Sequence, residues 1–163
     1  MSDLVALFML IISTLFSVDV TESVVETMRA STTVPVLEVI DGDTIVVEYD
    51  GRAELIRYIG IEAPEVGRDG ESSECFAEAA TTANSELVAE RNVTLVRDQS
   101  NTDRYNRLLR YVYVDGELVQ ETLVRGGFAT ALTIPPDTRH AKQFQTIEQD
   151  ARAAKRGLWA KCR

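Results

Sequence analysis

Histidine is almost missing from this chain: His140 is the only one among 163 residues. Serine–histidine triads, paired-histidine acid–base catalysis and most zinc hydrolases therefore drop out, and any chemistry must rest on carboxylates and arginines, with or without a metal. His140 itself, placed one turn into a polar helix, reads as a surface or capping residue. Cysteine is nearly as scarce. Cys75 and Cys162 have no flanking histidine, which leaves zinc without a ligand set. In an exported chain such an isolated pair forms one disulfide, here tying the C-terminus to the middle of the domain; in a reducing compartment the two stay buried thiols. Lysine is the third shortage, with only Lys142, Lys155 and Lys161 against fourteen arginines. The formal charge of -9 argues against broad coating of a polyanion, so any contact with nucleic acid must be local. An acidic, lysine-poor surface suits a salt-rich medium, and a GC-rich genome would write the same arginines.

The apolar run 4–18, LVALFMLIISTLFSV, falls short of the ~20 residues that cross a bilayer. It reads as the core of a signal peptide, although the usual positive residues before it are replaced by Ser2 and Asp3. The expectation is a leader or membrane anchor plus spacer over residues 1–33, with secretion, or membrane association through 4–18. An amphipathic helix packed on the domain is the plain alternative. Residues 34–163 then make one domain of roughly 130 residues.

From Pro35 onward the pattern turns to strands. Val36–Ile40, Thr44–Tyr49 and Ala53–Ile61 are rich in Val, Ile and Tyr, and Asp41-Gly42 and Asp50-Gly51 punctuate them as left-handed tight turns. Residues 64–73 form a polar loop. Phe76, Ala79, Ala80, Ala83, Leu87 and Val88 then recur at helical spacing within 74–91. Strands follow over Asn92–Arg97 and Leu108–Val114, then a helical stretch within 117–125 that Gly126-Gly127 stops. Asp137 is the expected N-cap of a last helix reaching about Arg156, which Gly157 closes, with Leu158 and Trp159 as an apolar lock. Five strands with a helix between the third and fourth, and helices at the end, predict an α+β fold: a five-stranded OB-type barrel with about three helices.

Three segments gather groups that can do chemistry: Asp41-Gly42-Asp43-Thr44, Arg57 through Glu65, and Asp103 through Arg107. Each is expected at a strand end, where clustered carboxylates suit a hard, oxygen-loving cation. An EF-hand is excluded, because Ile45, Val46 and Val47 fill the positions its alternating ligands need. The stretches VIDGDTIVV, RYIGIEAPE, DRYNRLLRYVYVDG and GLW, in this order over about residues 34–160, resemble the successive motifs of the staphylococcal nuclease family. The resemblance implies an OB barrel that hydrolyses phosphodiester bonds of DNA and RNA with calcium (Ca2+); a monomer is expected, and no protein partner is implied. Carried over by motif, it implies that Asp43, Glu62 and the backbone carbonyl of Ala63 bind the metal, with Asp41 and Thr44 supporting them. Glu65 would orient or deprotonate the attacking water, Arg57 and Arg107 would grip the phosphate, and Tyr105 would line the substrate pocket.

The chain departs from that pattern at several points. Glu62 is one methylene longer than the usual aspartate, which changes the reach of one metal ligand by about an ångström. Asn106 stands where glycine is usual, and asparagine is the next-best residue for a left-handed backbone. Thr133 and Pro135 fall where tyrosines approach the base. Alternatives are a nucleic-acid-binding OB module that has lost metal competence through Glu62, or a surface-anchored interaction domain. At the level of single motifs, Asp41-Gly42 could be only a turn, and Arg57 and Arg107 only exposed ion pairs with Glu65 and Asp103.

Overall fold

The computed structural model describes residues 31–162, so the apolar run 4–18 lies outside the described residues. The chain divides into two units, residues 1–32 and 33–163, and every described helix and strand lies in the second except for the first two residues of the first strand. In chain order its elements are β1 (Ser31–Val39), β2 (Thr44–Tyr49), β3 (Arg52–Tyr58), β4 (Ile61–Glu62), α1 (Ala77–Val88), β5 (Asn92–Val96), β6 (Leu108–Val114), β7 (Glu117–Leu118), α2 (Val119–Gly126), β8 (Thr130–Ala131), α3 (Ala141–Ala153) and α4 (Leu158–Lys161). The sheet order is β3-β2-β1-β5-β6-β7, and a parallel pairing of β3 with β6 closes five of these strands into a barrel. Closure removes the open edges that a five-stranded sheet would otherwise expose. Alternation supplies the core: Ile45, Val47, Ile56, Val93, Leu95 and Val112 point inward, and Leu123, Val124 and Phe144 of the helices cover them. Each such side chain contributes about 1.5–3 kcal/mol on burial.

The predicted α+β barrel is the observed one, and most element boundaries move by a few residues. Asp50-Gly51 makes the expected tight turn, with φ of 51° and 74° between the paired Tyr49 and Arg52. Asp41-Gly42 does not, and this corrects the sequence reading. Neither residue takes a positive φ; a Cβ on Gly42 would lie 2.6 Å from the Ala63 Cβ and 2.8 Å from the Ala80 Cβ. Glycine is needed there for close approach, not for handedness. The third strand also ends early. At Gly60 the chain turns with φ 85° under the Phe144 ring, and Ile61–Glu62 pairs instead with Thr130–Ala131.

The ends of the helices differ too. Asp137 caps no helix: its Oδ1 accepts the N–H groups of Gln99 and Ser100, both at 2.8 Å, and α3 starts four residues later with His140 at its N-cap position. His140 does cap by position, while its ring packs edge-on against Tyr111 and stacks on Phe144. The turn after α3 is made by Lys155, at φ 52°, ahead of Gly157, which opens α4. Trp159 lies under the Arg152 guanidinium at 3.9 Å. Cys75 and Cys162 form a disulfide across 87 residues of sequence. A loop of that size removes about 4–5 kcal/mol of unfolded-chain entropy on a simple closure argument. No helix among the described residues is long and apolar enough to cross a membrane.

Candidate active site

Two pairings bring the three segments together. In the β2–β3 hairpin Thr44 lies opposite Arg57, and the Tyr58 N–H donates to the Asp43 carbonyl at 2.9 Å. In the parallel β3–β6 pairing Arg57 lies opposite Leu109, which delivers the loop ending at Arg107 to the same end of the barrel. That loop is braced from both sides. Asp137 holds its start, and the Arg110 guanidinium donates to the Asn101 carbonyl at 3.1 Å and to Asn101 Oδ1 at 2.9 Å.

At the centre sits Arg57, whose guanidinium forms ion pairs with Asp43 and with Glu62. Burial lowers its pKa, Glu62 acts against that, and the nearby Arg107 charge lowers it further. Asp43 is 1% exposed, with both carboxylate oxygens engaged besides Arg57: Oδ1 accepts the Thr44 hydroxyl at 3.1 Å and Oδ2 accepts the Ala63 N–H at 2.6 Å. Asp41 supports it from behind, its Oδ1 accepting the Asp43 N–H at 3.0 Å while Oδ2 lies 4.0 Å from the Arg68 guanidinium. Burial raises the Asp41 pKa, opposed by the Thr44 hydroxyl, Arg57 and Arg68.

Arg57, Glu62, Glu65, Tyr105 and Arg107 line one cleft of about 760 Å³, to which Leu132, Ile134 and Pro135 add apolar lining. Asp41 and Thr44 line an adjoining hollow of about 390 Å³, and Glu65 and Arg107 border both. Ala63 is tied into the site by its N–H. Partial enclosure of the Glu65 carboxyl raises its pKa, Asp41 raises it further, and Arg57 opposes. Arg107 donates through Nε to Asp103 Oδ2 at 2.7 Å, and Asp103 Oδ1 accepts the Tyr105 and Arg107 N–H groups at 2.8 and 3.0 Å. The Tyr105 ring, 63% exposed, has the Arg104 and Arg107 guanidinium groups over it, at 4.7 and 5.6 Å from its centroid. Asn106 takes the left-handed conformation expected of it, at φ 62°.

Among the described residues no three Asp, Glu, His or Cys side chains form a complete metal cluster. What exists is a pair of carboxylates, Asp43 and Glu62, both directed at one guanidinium and therefore at one centre of positive charge. An all-oxygen donor pair of this kind fits a hard divalent cation that completes its shell with carbonyl and water oxygens.

Some contributors escaped the sequence reading. Asn84, fully buried on α1, donates through Nδ2 to the Asp41 carbonyl at 2.8 Å and accepts the Tyr58 hydroxyl at 2.9 Å. Burial raises the Tyr58 pKa, so its hydroxyl stays a donor. The signal was present: Ala80, Asn84 and Val88 follow at four-residue spacing on one helix face, and a polar residue on a buried face needs a partner. Arg68, beside Asp41, and Glu74, whose Oε2 accepts the Glu65 N–H at 3.0 Å, carry no comparable sequence signal, since nothing local distinguishes them from other loop charges.

Residues 55–161 match the family described as "Staphylococcal nuclease homologue". Endonuclease YncB of Bacillus subtilis (strain 168) is 40% identical over 124 residues, 75% of this chain and 59% of the relative. The SPbeta prophage-derived endonuclease YokF of the same organism is 40% identical over 124 residues, 42% of its own length. The chain thus spans about half the length of these two relatives. The thermonuclease of Staphylococcus hyicus is 30% identical over 128 residues, 78% of this chain and 76% of the relative. On these matches, and with the barrel that carries them, the chain belongs to the staphylococcal nuclease homologue family.

Proposed function

We propose that this chain is a calcium-dependent endonuclease that hydrolyses phosphodiester bonds of DNA, RNA or both outside the cytoplasm. The observation that carries this reading is the meeting of two guanidinium groups, Arg57 and Arg107, with the Glu65 carboxylate on a single cleft. Endonuclease is also what the names of two relatives say of those proteins.

In this reading Arg57 and Arg107 hold the scissile phosphate, since a planar guanidinium fork matches two phosphate oxygens and stabilises charge gathering there. Arg57 already has carboxylate partners, so substrate binding exchanges part of that contact for phosphate. Glu65 takes a proton from the attacking water, and its raised pKa makes it a stronger base than an ordinary carboxylate. The water oxygen bonds to phosphorus, the bond to the 5′ oxygen breaks, and that oxygen leaves with a proton from solvent, leaving a 3′-phosphate. Asp43, Glu62 and the Ala63 carbonyl would hold calcium, with Asp41 and Thr44 orienting them; when bound, it supplies positive charge beside the phosphate. The Tyr105 ring offers a face to the sugar or base. Export accounts for the disulfide, because such bonds persist in oxidising compartments, and the apolar run 4–18 would direct it or anchor the chain at the membrane.

Plasmid nicking and RNA degradation, measured in calcium and in chelator beside a binding assay, test the reading. Cleavage in calcium that the chelator abolishes is the expected result. Binding without turnover at any salt would leave a nucleic-acid-binding module, in which the longer Glu62 is the cause to examine first; neither binding nor turnover would remove both.

A further inference from the structure

Glu65 sits in a stretch, residues 63–76, that contains no helix or strand. Among the described residues no hydrogen bond or ion pair holds its carboxylate, so its position depends on its backbone. That backbone is clasped by one residue. The Glu65 N–H donates to Glu74 Oε2 at 3.0 Å, and the Glu74 N–H donates back to the Glu65 carbonyl at 2.9 Å. The loop between them is closed by lesser contacts, the Gly67 N–H to Ser73 Oγ at 3.2 Å and the Glu71 N–H to the Arg68 carbonyl at 3.0 Å. Glu74 is in turn fixed from its other side: Cys75 is bonded to Cys162, and α1 begins at Ala77.

We propose that Glu74 is a positioning residue for Glu65 and that the Cys75–Cys162 disulfide sets its grip, so that reduction of this bond slows phosphodiester hydrolysis. The proposal rests on the role given to Glu65 above. Cys75 is exposed, so a small dithiol can reach it. Two electrons and two protons pass from the dithiol to the two Sγ atoms, giving two thiols and an oxidised, cyclic reductant. Glu74 then keeps its place in sequence but loses the covalent stop beside it, and the clasp on the Glu65 amide loosens. Small displacements of a general base are costly in rate, because proton transfer needs hydrogen-bond reach.

The test uses the full chain with calcium and a defined oligonucleotide, following kcat and KM separately. Glu74→Ala should lower kcat about tenfold with KM little changed and the melting transition kept, while Glu74→Gln, which retains an acceptor oxygen for the Glu65 amide, should restore most of the rate. Treating the parent chain with dithiothreitol should lower kcat similarly, and oxidation should bring it back. In Glu74→Ala the same treatment should cost nothing further, since both changes act through one contact. Three results would overturn the proposal: normal kcat in Glu74→Ala, a Gln variant as slow as the Ala variant, or an equal loss on reduction with and without Glu74. The Glu74 series is read in the oxidised chain and so stands apart from any unfolding on reduction; unfolding itself would overturn the redox half. Glu65→Ala separates the two readings. If it is active, the function proposed above fails and this inference with it; if it is inactive while Glu74→Ala is normal, only this inference fails.

Discussion

Arg57 and Arg107 face one cleft from positions fifty residues apart, yet they are held in opposite ways. Arg57 is on a barrel strand, with its side chain 11% exposed and its charge shared by Asp43 and Glu62. Arg107 ends a loop, its side chain is 27% exposed, and its partner is Asp103, four residues away. One guanidinium belongs to the barrel and the other to a local turn. The difference teaches that two guanidinium groups lining one cleft can be held one by the barrel and one by a local turn, and the two should respond differently to removal.

Arg57→Ala is expected to have the largest effect. It removes the positive centre between two carboxylates, one of them the buried Asp43, and breaking a buried pair this way costs about 3–5 kcal/mol. Turnover should fall by about a hundredfold or more in the same variant. Denaturant unfolding and nicking kinetics, run on one preparation, check both. Arg57→Lys should recover little, because a point charge cannot serve two carboxylates and a phosphate as a fork does. Arg107→Ala should lose turnover by a similar factor of about a hundred while its stability moves by about 1 kcal/mol, as for a partly exposed ion pair between residues four apart. Equal destabilisation by the two alanines would break the comparison.

A pH profile sharpens it. In the proposed role of base Glu65 must be unprotonated, and its pKa is raised, first by partial enclosure and then by Asp41. The rate should therefore fall on the acid side at a higher pH than an ordinary glutamate would dictate, as protonation proceeds through the raised value. Stability should move the other way: a group with a raised folded pKa favours the folded state as pH falls through that value, and Glu65→Gln removes this contribution. Asp103 has the reverse sign. Burial pushes its pKa up, but the Arg107 side chain and the Arg107 and Tyr105 N–H groups outweigh that and lower it. Its contribution to stability is present above the unfolded pKa and is lost as pH falls through the lowered folded value. An acid limb in kcat that survives Glu65→Gln would show that Glu65 is not the group titrating.

What could be read from the residues followed the range of the forces involved. The barrel strands carry alternating Ile and Val, and Asp50-Gly51 and Asp115-Gly116 both take the positive φ values a tight turn needs, so these were legible locally. Asp41-Gly42 has the same letters and a different cause, because the demand on Gly42 comes from Ala63 and Ala80, brought in from elsewhere in the chain. Ile59 and Ile61 continue the apolar pattern past the end of β3, and only the packing of Phe144 over Gly60 shows why the strand stops. In the site, motifs pointed to Arg57, Glu65 and Arg107, but their convergence depends on the parallel β3–β6 pairing, a contact between residues far apart in sequence. Asn84 is marked by its place on the buried face of α1, whereas Glu74 acts on the backbone N–H of Glu65, and a backbone partner leaves no mark in the side-chain pattern.

The smallest expected effect lies in the turn that presents Arg107. Asn106 holds φ 62°, and its N–H donates to the Asp103 carbonyl at 3.2 Å. Asparagine tolerates this conformation better than other residues with a Cβ, and glycine tolerates it best. Asn106→Gly should thus change stability by no more than about 0.5 kcal/mol and leave turnover near the parent value, whereas Asn106→Ala should cost about 1 kcal/mol. The alanine variant strains the same turn that sets the Asp103–Arg107 contact, so kcat should fall while the barrel's melting transition moves only by the few degrees that about 1 kcal/mol implies. A variant at 106 that lowered melting as much as Arg57→Ala would mean that the loop is part of the barrel's stability after all, and the division between the two arginines would lose its basis.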